Sequence, residues 1–355
     1  MAVTLDEPRF LAACRRRPVD ATPVWFMRQA GRALPEYRAV RERATLLEIT
    51  RDPALCAEVT LQPVRRLGVD AAILFADITS PLAGLGVKFD IREGVGPVIA
   101  HPIRSAAEVG RLRPFNPEAD VSGLLEAIRL VRRASPVPLI GFAGAPFTLA
   151  CYLVEGGPSR EFERTKSLIH ADPIAWSARM DALTEMTIAY LQAQVDAGAQ
   201  ALQVFDSWVG GLGPLDYETA VLPWMVRLFD TAGRLGVPVI HFGVGTAGLL
   251  GLLARAGGNV IGLDWRIALA DGWARVGDRG VQGNLDPTLL LGPFEATATA
   301  ARWILDQAAG RPGHVFNLGH GVLPATDPDD LARLVDFVHE TTATSASGHL
   351  MGAHR

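Results

Sequence analysis

The apolar residues of this chain fall in short uninterrupted runs that are rich in Val, Ile, Leu and Phe and are bounded by Gly, Pro or Asp. Continuous rather than alternating apolarity is typical of parallel strands that helices cover on both faces. Segments with helical periodicity lie between most of the runs, for example 177–197 and 222–235. The pattern predicts eight strands, at 24–27, 71–75, 139–142, 201–205, 239–242, 260–263, 281–284 and 315–318.

Eight such strands alternating with helices indicate the α/β class and a (β/α)8 TIM-type barrel. Gly68, Gly198 and Gly236 each stand between a predicted helix and a predicted strand, where a left-handed C-cap is needed. The long gap before the third strand holds apolar stretches at 87–91 and 97–100. We expect these two stretches to form a small hairpin inserted after strand 2.

The composition supports one large folded unit. The chain has 355 residues, of which 49% are hydrophobic and 20% are charged, which is enough apolar material for a large core and argues against disorder. No linker divides the chain, so we expect a single barrel domain over residues 1–340. The segment 341–355 is rich in Ala, Ser, Thr and Gly, and we expect a mobile C-terminal tail there.

Charge and hydropathy exclude several partner classes. The formal net charge is -4, which gives no nucleic-acid footprint. The uncharged stretches 134–154 and 235–254 are interrupted by prolines and glycines, so they indicate strand–loop–helix junctions rather than membrane spans. The start of the chain lacks the apolar core of a secretory signal. We therefore expect a cytoplasmic protein that binds neither nucleic acid nor a membrane.

The cysteine and arginine content indicates which kinds of site the chain can form. Cys14, Cys56 and Cys151 lie far apart without C-x-x-C spacing, so neither a disulfide scaffold nor a thiolate zinc site is indicated. Among the 34 Lys and Arg residues only Lys88 and Lys166 are lysines. Genomic composition explains most of this arginine excess, but a guanidinium also forms paired hydrogen bonds to carboxylates and phosphates.

Polar residues follow several predicted strands, where the chemistry of a barrel is located. Arg28 and Arg32 follow the first strand and are four apart, so on a helical turn they would share a face and hold an anion. Asp77 follows the second strand, and in a pocket lined by arginines it would stay ionised and stabilise positive charge on a substrate. Tyr152 follows the third strand and offers a phenolic hydroxyl.

Each of these positions also has a structural explanation. A lone aspartate after a strand, such as Asp77, is more often a helix N-cap or turn former, and Tyr152 is equally typical of helix packing. Ser207 follows the fourth strand without a surrounding G-x-S-x-G motif, so we assign it hydrogen bonding only. His320 follows the eighth strand between two glycines, which we expect to leave it uncovered as a proton donor or carboxylate partner.

The segment 243–248 is a literal G-x-G-x-x-G between a predicted strand and a predicted helix, with Asp264 further along the chain. Such a pattern is typical of a dinucleotide site. The distance to Asp264 is short for that fingerprint, and little chain remains to build a complete nucleotide domain. In a barrel the same glycines would open a loop whose backbone amides bind an anion.

Several phrases together resemble the uroporphyrinogen decarboxylase family. The segment 23–32 (PVWFMRQAGR) is similar to its first signature, and 141–148 (GFAGAPFT), continuing to Tyr152, is similar to its second. The supporting phrases are FDSW at 205–208, GLDW at 262–265, QGNLDP at 282–287 and FNLGHG at 316–321. The resemblance spans about residues 23–328.

This resemblance implies a distorted (β/α)8 barrel, a homodimer, and no metal or organic cofactor. The implied substrate is uroporphyrinogen III, whose four acetate arms become methyls to give coproporphyrinogen III and carbon dioxide. The implied catalytic residues are Asp77 and Arg28. The implied substrate-binding residues are Arg28, Gln29, Ala30, Gly31, Arg32, Asp77, Tyr152, Ser207 and His320. Many members carry Thr in place of Ser207, so the hydroxyl is retained.

Three other functions remain open. A cobamide-dependent methyltransferase on the same barrel would use a zinc site, but His241 has no cysteine two residues away and no cysteine follows Cys151. The glycine motif leaves a nicotinamide oxidoreductase as a more distant alternative. A non-catalytic tetrapyrrole carrier is the third, and the full set of polar strand-end residues argues against it.

Overall fold

A computed structural model describes residues 7–92 and 94–344 of the chain. Its strands are β1 (Ala72–Ile73), β2 (Phe89–Arg92), β3 (Gly96–Ile99), β4 (Leu139–Gly144), β5 (Ala201–Asp206), β6 (Val239–Gly243), β7 (Val260–Gly262), β8 (Gly280–Gln282) and β9 (His314–Val315). Seven of these strands form one curled parallel sheet in the order β1-β4-β5-β6-β7-β8-β9. Every residue of β4 is buried, as expected for a strand covered on both faces.

Helices alternate with the strands of this sheet. They are α1 (Arg9–Cys14), α2 (Pro35–Arg41), α3 (Leu46–Arg51), α4 (Pro53–Leu67), α5 (Ala106–Val109), α6 (Pro117–Asp120), α7 (Ser122–Ala134), α8 (Pro146–Glu155), α9 (Glu163–Ala171), α10 (Pro173–Ala197), α11 (Pro214–Ala220), α12 (Leu222–Ala232), α13 (Leu250–Ala256), α14 (Leu269–Val276), α15 (Phe294–Ala308) and α16 (Pro328–Thr342). Short 3-10 helices lie at Ser80–Leu85, Val209–Gly211, Gly233–Leu235, Ala247–Leu249 and Pro287–Leu291. The α/β class expected from the sequence is confirmed.

The first predicted strand, 24–27, does not form a strand. Val24 makes only an isolated parallel bridge to Phe316, and the N–H of Phe316 donates to the carbonyl of Pro23 (2.9 Å). The N–H of Trp25 donates to the carbonyl of Phe316 (3.4 Å), but the other three backbone N–H groups of this segment donate to side chains. The acceptors are Asp70 Oδ2 for Val24 (2.7 Å), Gln29 Oε1 for Phe26 (3.0 Å) and Asn317 Oδ1 for Met27 (3.2 Å). Side chains therefore replace the regular ladder here.

The predicted helices and the predicted helix-terminating glycines are confirmed. The predicted helix 177–197 lies within α10, and 222–235 forms α12 followed by a 3-10 turn. Gly68, Gly198 and Gly236 all have left-handed backbones, with φ of 69°, 118° and 79°, and all three cap the preceding helix as expected.

Strands β2 and β3 pair antiparallel in a separate two-stranded hairpin between β1 and β4. It rests on α8, because the N–H of Ile99 donates to the carbonyl of Gly156 at the end of that helix (2.8 Å). Only the start of the tail predicted at 341–355 is described, since 345–355 lies outside the described residues. Thr342 ends α16, and its hydroxyl accepts the N–H of Thr22 (2.8 Å). No described helix is long and apolar enough to cross a membrane.

Candidate active site

The predicted site residues gather at the carboxyl edge of the parallel sheet. Asp77 follows β1, Ser207 follows β5 directly and His320 lies in the loop after β9. Tyr152 lies in α8, which begins just beyond β4. In parallel α/β sheets this edge carries the functional groups, because the connections there are free to vary while the strands hold them in place.

Asp77 is half-buried in a turn that its own side chain stabilises. Its Oδ1 accepts the backbone N–H of Thr79 (2.8 Å) and the hydroxyl of the same residue (2.6 Å). The structural interpretation of Asp77 as a turn former is therefore confirmed. Within the described part of the chain Oδ2 accepts no hydrogen bond, so the turn fixes the carboxylate and leaves one oxygen for a ligand.

Tyr152 packs in an aromatic wall beside Asp77. Its ring lies 4.1 Å from that of Trp208, and Trp208 in turn lies 5.0 Å from Phe162, measured between ring centroids. Burial raises the pKa of Tyr152, and the negative charge of Asp77 raises it further while Arg28 opposes the shift. The phenol is thus a neutral hydrogen-bond donor that shares one site with a carboxylate and a guanidinium.

The backbone of Trp208 is hydrogen-bonded to a residue that sequence reasoning did not single out. The hydroxyl of Thr148 accepts the N–H of Trp208 (3.3 Å) and donates to Oδ1 of Asp206 (3.1 Å). Both Thr148 and Asp206 are fully buried. Both residues belong to phrases noted in the sequence, since Thr148 ends the GFAGAPFT phrase and Asp206 precedes Ser207. Their hydrogen bond is shown only by the fold.

His320 stands between two close neighbours. A Cβ on Gly321 would come within 2.5 Å of Arg28 Cδ, and one on Gly319 would clash with the backbone of Trp265. His320 is half-buried, so the flanking glycines do not leave it fully uncovered; their lack of a side chain leaves room for Arg28 beside Gly321 and for the backbone of Trp265 beside Gly319. Burial lowers the pKa of His320 to about 4, and the charges of Arg28 and Arg266 add to this effect. The imidazole is neutral near pH 7, which favours a hydrogen-bonding role over that of an imidazolium acid.

The segment carrying both predicted arginines is a series of turns, so the expected helical face shared by Arg28 and Arg32 is wrong. Arg28 has a left-handed backbone (φ 58°), which ends the extended run and directs the chain toward α2. Both arginine side chains are exposed. The carbonyl of Arg32 accepts Nη1 of Arg38 (2.9 Å), which anchors the turn on α2.

Gln29 is buried rather than exposed to a ligand. Its Oε1 accepts the N–H of Phe26 and its Nε2 donates to the carbonyl of Ala71 (both 3.0 Å). The side chain thus ties this segment to the strand that leads to Asp77. Ala30 and Gly31 are half-buried, and a Cβ on Gly31 would come within 2.9 Å of the carbonyl oxygen of Arg28. These three residues shape the backbone that presents Arg28.

The glycine motif at 243–248 lies at the same edge of the sheet, but it is already hydrogen-bonded to Asp264. The N–H of Gly245 donates to Asp264 Oδ2 (2.6 Å), and the same oxygen accepts Arg266 Nη1 (2.6 Å). The other carboxylate oxygen accepts the backbone N–H of Arg266 (3.1 Å). The acid that a dinucleotide ribose would need is therefore bound internally, which argues against the nicotinamide alternative.

The environment of His241 does not fit a thiol-activating zinc site. The residue is fully buried, its Nε2 lies 3.8 Å from Asp206 Oδ2 and its ring packs on Phe229 at 4.6 Å. All three cysteines are buried, and burial raises the pKa of Cys56 to about 12. Over residues 7–92 and 94–344 no three His, Cys, Asp or Glu side chains are placed to hold one ion.

The sequence comparisons with known proteins agree on one family. The model of the family described as "Uroporphyrinogen decarboxylase (URO-D)" matches residues 5–341. A Streptomyces coelicolor protein named uroporphyrinogen decarboxylase is 57% identical over 335 residues, which is 94% of each chain. One of the same name from Roseiflexus sp. is 55% identical over 347 residues, 96% of this chain and 100% of that one.

Among solved structures, a methyltransferase from Methanosarcina mazei matches with a TM-score of 0.76 and 23% identity, over 94% of this chain and 98% of that one. A B12-independent methionine synthase from Shewanella sp. matches with a TM-score of 0.55 and 12% identity, over 84% of this chain and 90% of that one. At these identities the likeness concerns the fold alone.

Proposed function

The chain belongs to the uroporphyrinogen decarboxylase family, and from this membership and the site geometry we propose how its residues act. The protein is a carboxy-lyase of porphyrin biosynthesis that decarboxylates uroporphyrinogen III to coproporphyrinogen III and carbon dioxide. We further propose that the segment 23–27 completes a (β/α)8 barrel between β9 and β1. The enzyme is proposed to act as a cytoplasmic homodimer without a metal or organic cofactor.

The reaction needs an electron sink, because loss of carbon dioxide from an acetate arm leaves an electron pair on carbon. Many enzymes import the sink as a cofactor. An electron-rich pyrrole supplies its own: protonation of the ring carbon next to the acetate-bearing position gives an iminium-like cation. The bond between the arm carbon and the carboxylate then breaks, and its electron pair moves into the ring system. Protonation of the arm carbon and loss of the added ring proton then give the methyl group.

Asp77 is proposed to stabilise the cationic ring. The observation that carries this proposal is the turn in which Thr79 holds one carboxylate oxygen while the other is left for a ligand. That oxygen would accept hydrogen bonds from the pyrrole N–H groups and would face the positive charge as it develops. A preoriented carboxylate needs no reorganisation when the charge appears.

The other residues are proposed to bind and orient the carboxylate arms. Arg28 and Arg32 would form charge-assisted hydrogen bonds to substrate carboxylates, with Arg28 also the candidate for proton delivery. Tyr152, Ser207 and His320 would position the reacting acetate as neutral donors. Gln29, Ala30 and Gly31 would act through the backbone that presents Arg28.

Incubation with uroporphyrinogen III under reducing conditions tests this function. We expect mass spectrometry to show four successive losses of carbon dioxide, ending at coproporphyrinogen III, without added metal or cofactor. A substrate that keeps all eight carboxyl groups would overturn the proposal.

A further inference from the structure

Arg266 lies at the same edge of the sheet as the proposed active site, yet none of the motifs considered above assigns it a role. It follows β7 directly after the GLDW phrase. Its neighbours include Trp265, whose ring centroid lies 6.4 Å from that of His320. The loop that carries His320 packs on the backbone of residues 264 and 265, where a Cβ on Gly319 would not fit.

The guanidinium of Arg266 is held in one orientation from two directions. Its Nη1 donates to the buried carboxylate of Asp264 (2.6 Å), and its Cζ lies 4.0 Å from the centroid of the Trp265 ring. The Asp264 side chain is 2% exposed, whereas that of Arg266 is 49% exposed. A stacked and ion-paired arginine loses little rotamer freedom on binding an anion, because the freedom is already lost.

The remaining donors of Arg266 are available. In the described ranges neither Nε nor Nη2 makes a hydrogen bond, so two N–H-bearing nitrogens of an oriented and half-exposed cation are left for a ligand. The carboxylate of Asp264 also accepts the backbone N–H groups of Gly245 and Arg266, so both of its oxygens have a hydrogen bond apart from the guanidinium.

We propose that Arg266 forms a second carboxylate subsite, on the side of His320 that faces Trp265, while Arg28 occupies the other side. The ligand is a carboxylate arm of the tetrapyrrole that is not being removed, because Arg266 pairs with Asp264 rather than with the group around Asp77. The lowered pKa of His320, to which both arginines contribute, agrees with this placement. The inference rests on the proposed decarboxylation and adds a residue that decides how the polycarboxylate is seated.

The substitution Arg266→Gln tests the subsite through KM and kcat measured separately. A lost charge-assisted contact predicts a KM for uroporphyrinogen III about 10-fold higher with kcat within about twofold of the original. A propionate arm persists in the product, so the inhibition constant of coproporphyrinogen III should rise by about the same factor. Arg266→Lys keeps a partner for Asp264 but loses the planar fork, so a smaller rise in KM is expected.

A matched control is Arg333→Gln. Arg333 also stacks on an aromatic ring (3.9 Å from Phe294) and pairs with a carboxylate (2.8 Å to Asp330), but it lies on α16 away from the site. Its KM should stay unchanged. An unchanged KM in both Arg266 variants, or a fall in kcat alone, would overturn the subsite, whereas an original enzyme that releases no carbon dioxide would overturn the proposed function itself.

Discussion

At the scale of single residues, the site depends on side chains that hold other side chains still. Asp77 is oriented by Thr79, Tyr152 by Trp208, and Arg266 by Asp264 and Trp265. Positions at the ends of strands predicted which residues follow the carboxyl edge of the sheet, where the chemistry of an α/β fold is located. The contact between Tyr152 and Trp208 could not be predicted, since these residues lie far apart along the chain. The contacts at Asp77 and Arg266 are local, but their geometry depends on turns that the hydrophobic pattern does not specify.

Gly321 offers a sharp test at this scale. An added methyl would meet Cδ, Cγ and Cβ of Arg28 at 2.5, 2.7 and 3.1 Å, so the arginine has to move away from His320. We expect Gly321→Ala to lower kcat/KM by about 10²-fold, since small misplacements of a positioned group have effects of this size. Steady-state kinetics with uroporphyrinogen III would measure the loss.

The matched control is Gly251→Ala in α13, where an added Cβ meets nothing within 4 Å. Alanine is the better helix former, so this variant should keep full activity and gain about 0.5–1 kcal/mol of stability. Equal activity in the two variants would show that the approach of Arg28 to His320 does not matter.

At the scale of elements, seven of the eight predicted strands form the parallel sheet, and the exception is informative. An apolar run predicts a strand only if its N–H groups find a neighbouring strand. In 24–27 only the N–H of Trp25 does so, and the other three bind the side chains of Asp70, Gln29 and Asn317, which the hydrophobic pattern does not indicate. The helix-terminating glycines were predictable because their requirement for a left-handed backbone is local.

The junction of β5 with α8 carries the next prediction. Replacing Thr148 with Val removes one hydrogen bond to Trp208 and leaves Oδ1 of buried Asp206 without its donor. We expect the free energy of unfolding to fall by about 1–3 kcal/mol, and kcat to fall as Trp208 no longer holds Tyr152. Urea unfolding and turnover would measure the two effects.

Thr148→Ser retains the hydroxyl and is the control for that substitution. It should keep most of the activity while losing some stability to the small cavity left by the methyl group. If Val and Ser give the same turnover, the contacts through this hydroxyl have no part in positioning the aromatic wall.

At the scale of the whole molecule, a protein with a formal net charge of -4 acts on a substrate with eight carboxyl groups. Overall attraction is therefore weak or absent, and binding has to come from local cations at the carboxyl edge of the sheet. Of the many arginines, Arg28 and Arg32 could be singled out from the sequence by position, whereas Arg266 needed the packing of three loops around His320. The number of arginines in the chain therefore does not show which of them lie beside the site; their position in the fold does.

The turnover of Asp77→Asn tests the central claim most directly. Asparagine keeps the size and the turn-forming oxygen but removes the negative charge that is proposed to stabilise the cationic pyrrole. We predict a fall in kcat of about 10²–10³-fold, since loss of one preorganised electrostatic group has an effect of this size. The inhibition constant of coproporphyrinogen III should change far less than kcat. A variant that decarboxylates uroporphyrinogen III at a near-normal rate would contradict the account.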